Sequence, residues 1–470
     1  MGLESFLYEK MASRLGFSPT VCQDNLFKSL AQFVVGKDKH EIMLINGYAG
    51  TGKTSAIAAL VATLKEFGQN IILMAPTGRA AKVLSNYTET RAYTIHKQIY
   101  RQKSMSDGVG LFSLNVNKSR DTIYIVDESS LLSNGGLELS SFGSGHLLDD
   151  LVTFVNSNEN NKLILMGDSA QLPPIGRAIS EALDPGSLKQ YGPVRFSHLK
   201  SVVRQAISSG ILYNATILRE MIESGTVEYP KFELKGYDDI YRIGGEELLE
   251  ELGNSYYKAG MDETLVLCRS NKRANRYNQG IRAKLLFREE RLTRGDKLMI
   301  VKNCYHFLDD IDEIDFIANG DVAELIKISK YEERYGLNFA EATLRFGDYN
   351  DVEINAKIIL DTLDSETASL GIDQQRRLFS EIMAEYSDIK TKRKRMAAVR
   401  EDKYFNALQI KFASAITCHK SQGGQWSRVF IDNPFWSDKI SLDDLKWLYT
   451  ALTRAVDKVY FVNFDNKFFK

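Results

Sequence analysis

Cysteine is scarce: Cys22, Cys268, Cys304 and Cys418 are the only four in 470 residues, and they lie far apart. That excludes a disulfide framework and a C-x-x-C zinc site, and leaves reduced, packed thiols. Charge excess of either sign is lacking too, with 60 Lys and Arg against 61 Asp and Glu for a net charge of -1. A chain coated in positive charge is therefore excluded, whereas a local basic channel is not, because a polyanion responds to the field of the groove it enters. Long apolar runs are missing as well, and Met1-Gly2-Leu3-Glu4-Ser5 has neither the cationic nor the apolar part of a signal peptide. The expectation is a soluble, cytoplasmic protein with no membrane partner. What remains is an ordinary globular composition, 44% hydrophobic and 26% charged, on a chain long enough for about three or four domains.

The most specific stretch is Gly47-Tyr48-Ala49-Gly50-Thr51-Gly52-Lys53-Thr54, which fits G-x-x-x-x-G-K-[ST]. It follows the apolar run Ile42-Met43-Leu44-Ile45 and precedes the helical pattern Ser55 to Val61. Glycines at 47, 50 and 52 let successive N–H groups, Thr51 and Ser55 among them, curl round a phosphate at a helix N-terminus. Lys53 then reaches the β- and γ-phosphates of ATP, and the Thr54 hydroxyl ligates Mg²⁺. A ligand-free glycine turn is the alternative, and the flanking strand and helix weigh against it.

Three more strands deliver polar groups to the same edge, the ligand-facing rim of a doubly wound sheet. Ile71 to Ala75 runs into Pro76-Thr77-Gly78-Arg79, whose amides, Thr77 and Arg79 suit a phosphate backbone, though a helix entry with a capping Thr is the better account of the turn taken alone. Thr122 to Val126 ends in Asp127-Glu128, a pair suited to holding Mg²⁺ through Asp127 and polarising water through Glu128. Lys162 to Met166 leads to Gln171, placed to sense a γ-phosphate. Gln23, about 25 residues before the phosphate loop, carries the donor and acceptor that an adenine edge needs, but a solvated helix residue reads the same way. Residues 99 to 121 form a hairpin whose Phe112 either wedges against a base pair or packs underneath.

With these stretches in view the chain resembles the superfamily 1 helicases, specifically the RecD-like and Dda-like branch. Besides those already named, the matching residues are Thr94-Ile95-His96, Ser129-Ser130, Gly167 to Pro174, Val203-Arg204-Gln205, Ala415 to Gly423 and Tyr449-Thr450-Ala451-Leu452-Thr453-Arg454. Coverage runs from about residue 18 to 465, and Ser130 stands where the branch often has Ala. The resemblance implies an α/β fold of two RecA-like P-loop NTPase domains with ATP between them and single-stranded DNA across the top of both. It also implies 5′ to 3′ movement and partners that are single-stranded DNA and duplex junctions. DNA repair and recombination are the matching processes, and a monomer is expected. Carried over by position, Arg204 and Arg454 reach the γ-phosphate, Gln422 and Gly423 lie near the nucleotide with Lys420, and Thr94, His96, Thr417 and His419 contact DNA. A planar guanidinium suits charge spread over phosphate oxygens.

The expected division is 1–190 for the first RecA-like domain with its hairpin at 99–121, and 191–294 with 404–470 for the second. Residues 295–403 form an SH3-like β-barrel insertion followed by a charged helical arm. Asn271 opens a polar, basic helix suited to a phosphodiester backbone, with Asn275 and Asn278 on it, although a solvated helix start accounts for it nearly as well. The basic cluster at 390–400 reads as a solvated arm or a strip against DNA. The function expected is an ATP-dependent DNA helicase or translocase. An RNA-directed helicase and a non-translocating nucleic-acid-binding ATPase switch are the alternatives.

Overall fold

The computed structural model describes residues 2–102, 112–135, 143–174, 176–201, 209–304, 306–308, 317–435 and 439–470. The strand Ile42–Gly47 is buried along its whole length, as expected of an apolar run in a parallel sheet covered on both faces. It sits in a six-stranded parallel sheet in the order Ala92–Thr94, Asn70–Ala75, Thr122–Val126, Lys162–Gly167, Ile42–Gly47, Val194–Leu199. Two apolar clusters cover it: helices Val21–Val35 and Lys53–Glu66 on one face, and helix Leu147–Asn156 on the other. The strand Val194–Leu199 corrects the division expected at 190/191. It pairs with Ile42–Gly47 along the full length, so the first lobe extends to at least residue 199.

The second lobe is a five-stranded parallel sheet, Ala415–Thr417, Thr264–Cys268, Trp426–Asp432, Ala455–Val462, Ile240–Ile243. Inserted in the sequence of this lobe, between Thr264–Cys268 and Ala415–Thr417, is a closed barrel of Lys297–Ile300, Val322–Arg334, Leu337–Phe346, Val352–Ile359 and Leu408–Phe412. Its last strand is a second correction. Leu408–Phe412 was expected in the second lobe, yet it pairs with both Leu298–Ile300 and Ile358–Ile359 and closes the barrel. The charged arm at 364–403 is not wholly solvated, because helices Ile372–Glu385 and Lys392–Glu401 place Leu378, Ile382 and Val399 against Tyr335, Leu337 and Phe339 of the barrel. Among the described residues, no helix is long and apolar enough to cross a membrane.

Candidate nucleotide pocket and strand groove

The phosphate loop needs two glycines for its path. Gly50 and Gly52 hold φ of 72° and 79°, a region closed to most side chains, and Gly52 caps the helix Lys53–Glu66. The Lys53 ammonium is folded back on the loop, donating to the carbonyls of Gly47 at 2.5 Å and Tyr48 at 3.0 Å. Its stem leaves no room at Gly47, where a Cβ would meet Lys53 Cγ at 2.9 Å. Thr51 is buried and donates to Tyr48 O.

A cavity of about 350 Å³ opens over this loop, lined from the first lobe by Gly50, Gly52, Lys53, Thr54, Ser55, Asp127, Glu128 and Gln171. Gly423 and Arg454 of the second lobe complete it. Glu128 adopts φ of 51°, a strained left-handed conformation of the kind that persists where surrounding structure enforces it, often at functional sites. Its N–H donates to Asp127 Oδ1 at 2.7 Å. Burial, reinforced by the adjacent Glu128 charge, pushes the Asp127 carboxyl up from the ordinary carboxylate range. Asp168 is raised as well by burial, against the opposing influences of Lys53, Tyr449 and the Ala170 N–H. Gln171 is 6% exposed, and its Oε1 has no partner among the described residues.

These groups fit a nucleotide-bound Mg²⁺. Among the described residues no group of three His, Cys, Asp or Glu could hold a metal by itself. Mg²⁺ keeps waters and binds through one or two protein oxygens plus phosphates, which is what Thr54 and Asp127 offer in one cavity. A cation there favours the ionised form of a carboxyl that burial otherwise opposes.

The second lobe grips the segment 168–178 at four points. The Tyr449 hydroxyl donates to Asp168 Oδ2 at 2.6 Å and accepts from the Ala49 N–H at 2.9 Å. Leu172 N–H donates to Thr450 Oγ1 at 2.8 Å, while its carbonyl accepts from Gln422 Nε2 at 2.7 Å. Lys446 Nζ donates to Ala178 O at 3.1 Å. Arg454 is 3% exposed and donates from Nε to Thr450 O, from Nη1 to Gly424 O and from Nη2 to Thr453 Oγ1. Arg204 lies outside the described residues.

Several residues singled out by sequence sit differently from their expected roles. Gln23 is buried, its Oε1 accepts from the Thr20 N–H, and its Nε2 donates to Thr51 O; in this arrangement it buttresses the phosphate loop and presents no free amide edge to adenine. Gln422 spends its amide on Leu172, so Gly423 beside it is the residue that lines the cavity. Lys420, expected near the nucleotide, instead donates to Asn319 Oδ1 in a barrel turn.

On the groove side, Thr77 caps the helix Gly78–Thr88 by accepting from Ala80 N, and half-buried Pro76 precedes it. Arg79 crosses to the second lobe, donating to Gln425 O at 2.8 Å and stacking 4.2 Å from the Trp426 ring. Thr94 is buried and caps the helix Ile95–Ile99. Burial holds the half-buried His96 down at about 4 and lowers His419 also, so both imidazoles are neutral near pH 7. Thr417 precedes the short turn Cys418–Ser421 without capping it. Asn271 begins the helix Asn271–Lys284. Asn275 and Asn278, expected on a phosphodiester edge, donate to Ser365 O and to the Phe412 and Ala415 carbonyls, so they serve the scaffold. Phe112 pairs with Gln102, the described pair farthest from the hairpin base at Tyr100 and Leu114, and packs partly buried against the first-lobe core; the hairpin tip lies outside the described residues.

Sequence reasoning did not pick out Tyr449, Thr450 or Asp168 as working side chains. Their motifs carry a signal, but which hydroxyl crosses the cleft is set by tertiary placement.

Two family models match parts of the chain. Residues 28–225 match an AAA domain and residues 412–462 a UvrD-like helicase C-terminal domain. The ATP-dependent DNA helicase dda of Enterobacteria phage T4 is 23% identical, over 94% of this chain and 98% of that protein. An uncharacterised protein, R530, of Acanthamoeba polyphaga mimivirus is 23% identical over 91% and 96%. A Methanocaldococcus jannaschii protein, MJ1519, is 24% identical over 91% of this chain, which spans 37% of its length. A crystal structure of Pif1 helicase from Bacteroides in complex with ADP-AlF3 and ssDNA aligns with 97% of this chain and 95% of its own, at 14% identity and a TM-score of 0.49.

Proposed function

We propose, from the premise that the chain is a superfamily 1 helicase of the RecD- and Dda-like branch, that it uses ATP hydrolysis to move 5′ to 3′ along single-stranded DNA and to unwind duplexes. One observation carries the reading: the phosphate loop, the acidic pair and Gln171 of one lobe share a cavity with Arg454 of the other. A pocket built from both lobes changes shape whenever they move, so nucleotide state and lobe spacing are coupled.

Lys53 leaves the loop carbonyls for the β- and γ-phosphates as ATP enters. Thr54 and Asp127 would hold Mg²⁺, which would neutralise charge on the phosphate oxygens. Glu128 orients the attacking water, and Gln171, whose unpartnered Oε1 can accept from that water, donates from its amide nitrogen to report the γ-phosphate. Arg454, and Arg204 with it, stabilise charge developing on the transferred group. Pro76, Thr77, Arg79, Thr94, His96 and Asn271, with Thr417 and His419, hold the strand with little sequence preference. Arg79 must first give up Gln425 and Trp426. Hydrolysis reopens the cleft, and unequal grip by the lobes turns each cycle into a step.

The test is ATP turnover with and without single-stranded DNA, alongside a matched RNA. Stimulation of at least about tenfold by DNA and less by RNA is expected. Turnover indifferent to DNA contradicts the reading.

A further inference from the structure

Nothing in the hydrolysis steps above uses Tyr449, yet its hydroxyl reaches from the second lobe to two parts of the nucleotide machinery in the first, the phosphate loop and Asp168. It is buried at 1% exposure, on the second-lobe helix Leu442–Leu452 that ends just before Arg454. It donates to Asp168 Oδ2 at 2.6 Å and accepts from the Ala49 N–H in the phosphate loop at 2.9 Å. Asp168 Oδ1 accepts from the Ala170 N–H at 2.9 Å, and the chain then reaches Gln171 in the cavity. One residue on, Leu172 is fixed to Thr450 and Gln422 of the second lobe, which lies beside Tyr449 and beside the strand-contact segment 417–419 respectively. A hydroxyl giving one bond and taking one bond has a defined direction, so displacement of either partner is felt by the other. The Asp168 bond is charge-assisted and sits out of water, where such bonds are roughly twice as strong as neutral ones.

We infer that Tyr449 is a positioning residue that couples strand engagement to turnover: its hydroxyl ties the phosphate loop, through Ala49, to the Asp168–Leu172 segment, so that Gln171 takes its working position only when the second lobe is set by bound DNA. The inference rests on the helicase reading above. The hydroxyl touches neither substrate nor reacting atoms. It sets the relative placement of groups that do.

Tyr449→Phe removes only the oxygen, leaving the ring in its packed site. The expected result is a loss of at least tenfold in the ratio of DNA-stimulated to unstimulated ATP turnover, with the KM for ATP changed less than twofold and the melting temperature close to the parent's. Asp168→Asn tests the link from its other end, because a neutral amide oxygen still accepts from the phenol but weakly; an intermediate loss of stimulation is expected, and it stands as the test where Tyr449→Phe does not fold. Parent-level stimulation in either variant overturns the inference. So does a uniform fall of stimulated and unstimulated rates with a raised KM, which is the signature of a merely structural role. Absence of stimulation in the parent chain itself is a different result, and contradicts the helicase reading.

Discussion

Arg454→Ala is the substitution whose consequence can be worked furthest. A guanidinium has five N–H donors, and three of these are spent on Thr450 O, Gly424 O and Thr453 Oγ1. Two remain for phosphate oxygens in the cavity that Arg454 lines. Because the side chain is 3% exposed, its fork is held before the nucleotide arrives, and little ordering cost falls on the chemical step. An arginine presented to a transferring phosphoryl group is worth about 10³ to 10⁵ in kcat, or about 4 to 7 kcal/mol. Arg204 is expected to contribute as a second arginine, so the low end applies, about 10³ for Arg454→Ala. Arg454→Lys keeps the charge and loses the fork, and an intermediate loss of about 10² is expected. The carbonyls left behind cost about 1 to 3 kcal/mol of stability, a few degrees of melting temperature for a chain of this size. Phosphate release at saturating ATP and single-stranded DNA reads the effect, with ADP affinity as the control. A kcat loss under tenfold, or one matched by a comparable rise in KM, refutes the assignment.

Three further outcomes follow from other parts of the structure. Asp296 is 1% exposed and accepts from Arg282 at 3.1 Å, Arg288 at 2.6 Å and Thr293 N at 2.8 Å. Asp296→Ala strands two guanidiniums and should cost about 3 to 5 kcal/mol, seen as a lowered urea midpoint. Asp321, buried between the Ala318 N–H and the Tyr349 hydroxyl, is held by burial at about 7 against about 3.9 when unfolded. The folded state therefore keeps the extra proton between those values, so this group's contribution is full below about pH 4 and lost as pH rises through 7, bounded by about 4 kcal/mol. Asp321→Asn should flatten that slope and raise the melting temperature at pH 8; an unchanged slope contradicts the assignment. Gly423 has φ of 78°, and a Cβ there would lie 2.9 Å from Ala80 Cβ and 3.1 Å from Thr77 Oγ1 across the cleft. Gly423→Val should force the lobes apart and raise the KM for ATP by about tenfold, measured as steady-state turnover.

The phosphate loop was legible because local chemistry determines it: glycines at φ above 70°, a buried strand before and a helix after. Asp127 and Glu128 were legible for the same reason, since a strand of five buried residues leads into them. The missed features depend on pairing partners distant in sequence. Val194–Leu199 is half-buried apart from exposed Phe196 and buried Leu199, as an edge strand can be, and only its pairing with residues 42–47 places it in the first lobe. Leu408–Phe412 is buried throughout and reads like any core strand, so its membership of the barrel follows from partners more than 100 residues back and about 50 residues back. Arg79 has the composition of a phosphate contact, but stacks on Trp426 because the lobes are close. In Trp447-Leu448-Tyr449-Thr450 the pattern announces a buried helix, without saying that two of its hydroxyls cross to the opposite lobe.

Strand displacement tests the central claim most directly, using one duplex with a 5′ single-stranded tail and its counterpart with a 3′ tail. Two lobes that share one ATP pocket and grip one strand should separate the 5′-tailed duplex in the presence of ATP and Mg²⁺, and leave the 3′-tailed duplex paired. Preference for the 3′ tail contradicts the direction of movement. Hydrolysis of ATP with neither duplex opened contradicts the motor itself.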